Sequence, residues 1–232
     1  MWRYWLDFWG KFVPRNTIGS TCNILVINGD IIDGVHHQTV NLISNSWEVQ
    51  EEMATKIIRA IPFRFDQVFV TRGTEAHADI GAQSEERIAK AIGCEANEIG
   101  EYSSWQQWLD VDGVIFQFAH TISTTSSAAY ESSAPMREMV SGLVEAAQWG
   151  RPLPSVFVRS HRHRFIPVSI PTDTGRIWSV ITPGWQLRTP FVERIDRMRM
   201  PHIGGVVFKV EDKACQVLEK IYKLPEPRIT RI

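Results

Sequence analysis

The sequence predicts an α/β domain with mixed strands, on three observations. Strand-like and helical stretches alternate through the first half of the chain, strands dominate the second half, and the histidines gather at strand ends. The length, 232 residues, suits a single domain over 1–232 with a large core.

The elements follow in order. Trp2, Trp5, Trp9 and Phe12 recur at helical spacing, so an N-terminal helix is expected to dock one aromatic face on the domain's own core. A helix lying on a membrane would carry a more basic polar face. Residues 23–28, centred on Ile24-Leu25-Val26-Ile27, read as a buried strand. Residues 47–61 read as a helix with Val49, Met53, Ile57 and Ile61 on one stripe, stopped by Pro62. Residues 67–72 form a second apolar strand, and 84–92 a short helix ended by Gly93. Residues 105–110 and 114–119 make a hairpin around Asp112-Gly113. A Ser/Thr/Ala-rich loop over 123–133 leads to a helix at 134–149 with Pro135 in its first turn. Strands follow at 155–159, 165–170 and 176–181, and 206–210 with 216–221 form a closing hairpin. The order fits one mixed sheet, or two sheets packed face to face with helices outside.

Composition narrows the function classes. Hydrophobic residues make up 44% and charged residues 22%, which argues against a disordered chain. Lys+Arg is 25 and Asp+Glu 26, a net charge of −1, so a sequence-wide basic field for nucleic acid is missing. Cys22, Cys94 and Cys215 are widely spaced and form no CxxC, which fits structural thiols in a reducing, cytoplasmic setting. No uninterrupted apolar run reaches ~18 residues, so no membrane partner is expected.

The chemistry-bearing residues stand at strand ends. His36, His37, His77, His120, His161 and His163 each follow a predicted strand, and the strand-end edge of an α/β sheet is where ligands bind. Gly29-Asp30-Ile31-Ile32-Asp33-Gly34 runs directly off the first strand. It reads either as a carboxylate held at the sheet edge or as an Asp/Gly turn. His161-Arg162-His163 is an HxH, which in extended conformation projects both imidazoles to one side. It suits metal ligation, or else a basic surface loop with Arg159 and Arg164, whose arginines would equally serve a phosphate.

In order, GDxxDG, Gly73-Thr74-Glu75-Ala76-His77, Phe118-Ala119-His120 and Ser160-His161-Arg162-His163 resemble the blocks of the calcineurin-like metallophosphoesterases. The resemblance spans residues 24–165. It leans toward phage-type members through the aromatic first helix and Pro183-Gly184-Trp185-Gln186. It implies a four-layer α/β/β/α sandwich with mixed sheets. It also implies hydrolysis of a phosphate ester at two divalent transition metal ions, Mn, Fe, Ni or Zn.

By the resemblance Asp30 bridges the metals and acts in catalysis, His120 and His161 bind the second metal, and His163 binds the first. Thr74 sits where the family has its metal-binding Asn. His77 is expected to reach the site as ligand or acid, with Glu75 as second choice. Arg162 and Arg188 are the candidates for the substrate phosphate. The family's DxH block, carried on an earlier strand, is absent from these residues. The expectation is a segment upstream of Met1 with the first strand missing here, or a reduced family member.

Two other functions stay open. One is a catalytically impaired scaffold or partner-binding domain. The other is a phosphodiesterase of nuclease type, in host cytoplasm if phage-encoded, with Arg188, Arg194, Arg197 and Arg199 lining a nucleic-acid groove.

Overall fold

A computed structural model describes residues 1–35, 42–123, 127–173, 175–189, 192, 200–224 and 230. His36, His37, Arg194, Arg197 and Arg199 lie outside the described residues.

The N-terminal helix runs as α1 (Trp2–Asp7), a π-helical turn (Phe8–Phe12) and α2 (Val13–Asn16). The wide turn shifts the phase of the buried face and precedes Pro14, which has no N–H to donate. As a result Phe8, Trp9 and Val13 are the buried residues, while Trp2 is 52% exposed. The helix docks as expected through Trp5, Trp9 and Phe12, with Phe8 and Val13 joining the buried face and Trp2 left outside it. Trp5 and Phe8 meet Trp185 with ring centroids 5.1 and 5.5 Å apart, and Tyr4 stacks on Tyr222 at 4.5 Å. Asp7 accepts a 2.9 Å hydrogen bond from the Tyr222 hydroxyl and so is more than a surface residue.

Strand β1 (Ile24–Asn28) pairs in parallel with β2 (Gln67–Thr71) across α3 (Trp47–Arg59). On α3, Val49 and Ile57 stay exposed and Gln50 is buried, because its amide grips Gly34 at both N–H and C=O (2.8 and 3.2 Å). After β2 come α4 (Glu75–Ala78) and α5 (Gln83–Ile92), the latter closed by Gly93 in the left-handed region as expected.

A second sheet holds five strands, β3 (Gln107–Val111), β4 (Val114–Phe118), β5 (Val156–Arg159), β6 (Ile166–Thr172) and β7 (Gly175–Ile181), in the order β3-β4-β5-β7-β6. It is mixed: β4, β5 and β7 are parallel, and the hairpins β3–β4 and β6–β7 are antiparallel. Helix α6 (Ser133–Trp149) covers one face through Met139 on Phe157 and Ile177. The other face, with Phe116, Phe118, Val156 and Val158, packs toward Val26 and Phe208. Strands β8 (Ile203–Glu211) and β9 (Ala214–Tyr222) form a separate antiparallel pair. The chain is therefore mixed α/β, and among the described residues no helix is long and apolar enough to cross a membrane.

Candidate metal centre

The ends of β1, β2, β4 and β5 meet at one edge, where the side chain of Asn28 ties them together. Its Nδ2 donates to Ala119 O (3.1 Å) and Ser160 Oγ (2.8 Å), and its Oδ1 accepts from Thr71 Oγ1 at 2.6 Å. Ser160 Oγ lies 2.8 Å from Thr182 Oγ1 and so reaches the segment after β7. Both sheets are pinned at this edge, and a site placed there inherits their rigidity.

The chain then turns sharply at each strand end. Asp30, His161 and His163 are non-glycine residues with φ of 50°, 64° and 49°. The left-handed region is costly for such residues, and this strain gathers around ligand sites. Gly29, at φ 77°, leaves room for the imidazole of His120, since a Cβ there would stand 2.5 Å from His120 Nδ1.

Three ligand-type side chains converge. His120 Nε2 is 2.8 Å from Asp30 Oδ2, His161 Nδ1 is 3.7 Å from the same oxygen, and the two imidazole nitrogens are 3.3 Å apart. Among the described residues Asp30, His120 and His161 form the one group of three whose donor atoms lie within 4.8 Å of each other. The other ring nitrogen of His120 and the other oxygen of Asp30 are already engaged. His120 Nδ1 sits 2.6 Å from Asn28 O, and Asp30 Oδ1 accepts from Thr74 N (2.8 Å) and Thr74 Oγ1 (3.0 Å). In its neutral form an imidazole that donates Nδ1–H to a backbone carbonyl presents Nε2 as a lone pair, the arrangement typical of metal-ligating histidine, so metal binding here would displace the proton shared with Asp30. Two imidazoles and a carboxylate suit a divalent transition metal better than Ca²⁺, so the donor set fits the expected ion.

Electrostatics agree with a site built around one anion. Burial opposes the charge of Asp30, but the hydrogen bonds from His120 and His161 outweigh it and hold the carboxyl well below the usual carboxylate range. Burial likewise opposes protonation of His120, and Asp30 more than offsets it, raising its pKa. His163 is shifted down by burial first, then by the neighbouring His161, His77 and His120, against the pull of Asp30.

His77 and His163 line the same cavity as the three-residue cluster but stand outside it. His77 Nδ1 is 2.7 Å from Asp33 O, and Asp33 Oδ1 accepts from Gln186 Nε2 at 3.0 Å. Thr74 uses its hydroxyl on Asp30, and Glu75 is exposed at the start of α4. Arg162 sits in the turn between the two histidines, and Arg188 Nη1 meets Met200 Sδ at 3.6 Å. Two arginines beside the HxH are structural, which corrects their reading as a surface loop or phosphate ligands. Arg159 is 3% exposed and bound to Glu138 at 2.6 Å, and Arg164 pairs with Glu131 at 3.2 Å.

Glu85 was not among the expected site residues. It is fully buried on α5, and its Oε2 accepts the Gly73 N–H just before Thr74. Burial pushes its carboxyl up to about 7, with the nearby charge of Asp30 adding to the rise and the Gly73 N–H opposing it. The sequence held one signal: Glu85 shares a helix face with Ile88 and Ala89, and a charge on an apolar face is out of place there.

No protein-family model matches the chain, and no curated protein matches it. A solution NMR structure of a Thermotoga maritima protein is similar at 13% identity and a TM-score of 0.37, covering 87% of this chain and 100% of that one. A likeness at that level carries no argument about function.

Proposed function

We propose that this chain is a calcineurin-like metallophosphoesterase domain that hydrolyses a phosphate ester, as a phosphodiesterase or nuclease-type enzyme, with divalent transition metals. The observation that carries the reading is the cluster of Asp30 between His120 and His161, with His120 Nδ1 secured on Asn28 O. The packing supports the family's four-layer sandwich. Aromatic residues of the N-terminal helix pack with β1 residue Leu25, β1 and β8 residues pack toward the five-stranded sheet, and α6 lies on its far face.

Bound divalent ions would supply Lewis acidity toward phosphoryl oxygens and an activated water. Asp30 would hold the ions together through its carboxylate, kept charged by its two imidazole neighbours. Thr74 orients that carboxylate through Oδ1. In this reading His163 would help to hold the other ion. His77, its Nδ1 occupied by Asp33 O, protonates the leaving oxygen through Nε2. Arg162 and Arg188 neutralise phosphate charge.

One observation favours a second reading, a non-catalytic partner-binding domain: His77 and His163 stand outside the ligand cluster, so the second ion has fewer donors. Hydrolysis of bis(p-nitrophenyl) phosphate with Mn²⁺, alongside cleavage of single-stranded DNA, separates the readings. Metal-dependent turnover of either substrate that disappears in Asp30→Asn is expected. Tight metal binding without turnover of either overturns the enzymatic reading in favour of the scaffold.

A further inference from the structure

Helix α6 packs tightly on the five-stranded sheet. Met139 is buried against Phe157 and Ile177, and a Cβ on Gly142 would stand 2.5 Å from the Phe157 ring. The inner face of the helix is thus seated without help from the residues on its outer side.

That outer side is nevertheless apolar. Met136, Val140 and Val144 recur every four residues, so they form one stripe along the helix, and all three are exposed. Trp149, at the end of the helix, is 65% exposed, and Tyr130, just before its start, is 67% exposed. Helix propensity gives no reason for the stripe, since alanine, glutamate or lysine suits a solvent-facing helical position better than a β-branched valine. The sheet edge beside α6 is closed to an added strand. Strand β6 is the outermost strand there, and its Pro167 and Pro171 have no N–H to offer.

The stripe is complementary to itself. Its pattern is symmetric about Val140, with Met136 four residues before and Val144 four after, and with Tyr130 ten before and Trp149 nine after. A contact about a twofold axis has this property, because residue i meets residue j and j meets i. The charges follow the same symmetry. Arg137 and Glu145 are exposed on the same flank of the stripe, and among the described residues neither makes an ion pair. An antiparallel pair of helices sets Arg137 of each copy against Glu145 of the other. A parallel pair would set Arg137 against Arg137 and Glu145 against Glu145.

We propose that the outer face of α6 is a homodimer interface, in which two copies of this chain pair their α6 helices antiparallel about a twofold axis at Val140. Val140 then meets Val140 of the second copy, Met136 meets Val144, and Trp149 reaches Tyr130. From Met136 to Trp149 the helix offers about 20 Å of contact. A contact of this extent lies at the small end of specific interfaces, about 1,200 Å² in total, so a dissociation constant on the order of 10–100 µM is expected. The interface lies on the opposite face of the five-stranded sheet from β1 and β8, and it forms whether or not Asp30, His120 and His161 bind metal.

The test is sedimentation equilibrium of the full 232-residue chain at low salt, from roughly 5 to 500 µM. A reversible monomer–dimer equilibrium is expected. Val140→Glu sets two carboxylates face to face on the axis and should weaken the dimer at least tenfold. Val49→Glu, the same change at an exposed valine of α3, should leave association unchanged. Arg137→Glu and Glu145→Arg should each weaken the dimer about threefold or more. An equimolar mixture of these two variants should regain wild-type association, since every pair across the axis is then opposite in charge. The proposal is overturned by a wild-type chain that stays monomeric at every concentration, by a dimer that withstands Val140→Glu, by an equal loss in Val49→Glu, or by a mixture that associates no better than its two components.

Discussion

Substituting Gly29 by alanine places a methyl carbon 2.5 Å from His120 Nδ1, 2.7 Å from its Cγ and 2.8 Å from Gly73 Cα. Two costs add. The left-handed backbone at φ 77° charges a non-glycine residue about 1–2 kcal/mol. Forcing a methyl into an occupied space costs about 1–3 kcal/mol more, and displacing His120 endangers its bond to Asn28 O. Gly19 serves as the control, with φ 80° and nothing within 4 Å of where an alanine Cβ would stand, so Gly19→Ala carries the backbone cost alone. For a chain of this size, where 1 kcal/mol moves Tm by about 2–4 °C, Gly29→Ala should lower Tm by roughly 4–20 °C and Gly19→Ala by roughly 2–8 °C. Because His120 turns away from its anchoring carbonyl, Mn²⁺ affinity should fall about 10–100-fold in Gly29→Ala and stay unchanged in Gly19→Ala. Thermal melts and Mn²⁺ titrations of both variants provide the assay. Equal Tm losses with equal metal affinity would refute the claim that Gly29 exists to seat His120.

Asp30→Asn should abolish metal-dependent hydrolysis and lower bound metal while the circular dichroism spectrum stays that of the folded chain; wild-type turnover at full metal content would make Asp30 a turn residue only. His161→Ala should cost more bound metal than His163→Ala, because His163 stands outside the cluster; equal losses by elemental analysis count against the assignment. Glu85, raised by burial to about 7, contributes stability fully below its unfolded value near 4.5 and loses it as pH rises through about 7. Glu85→Gln removes that loss, so the metal-free variant should be more stable than wild type at pH 8 by roughly 3 kcal/mol and about equal at pH 4. Urea unfolding at the two pH values checks this, and a variant less stable at pH 8 shows that the structure requires the charged carboxylate.

Local rules made the secondary structure legible. Gly93 ended its helix, Asp112-Gly113 turned its hairpin, and apolar runs marked β1, β2 and β5. The strand-end position of Asp30, His120 and His161 also followed from sequence order, since each sits just past a strand whose end faces the same edge. Long-range partners were hidden. Nothing local to Asn28 shows that its amide spans to Ala119 and Ser160, 91 and 132 residues away. Arg159 looked like part of a basic loop because its partner Glu138 lies on a helix 21 residues earlier. The aromatic face of the first helix was legible in Trp5, Trp9 and Phe12, while Phe8 and Val13 were missed because a π turn, which widens the buried face, has no signature in a 3.6-residue period.

The central claim is that Asp30, His120 and His161 hold a divalent transition metal. Elemental analysis after dialysis against Mn²⁺ or Zn²⁺ and removal of loose metal tests it most directly. The account predicts about one tightly bound ion per wild-type chain, lost in Asp30→Asn and in His120→Ala. A wild-type chain without bound metal, or variants that retain it in full, would contradict the account.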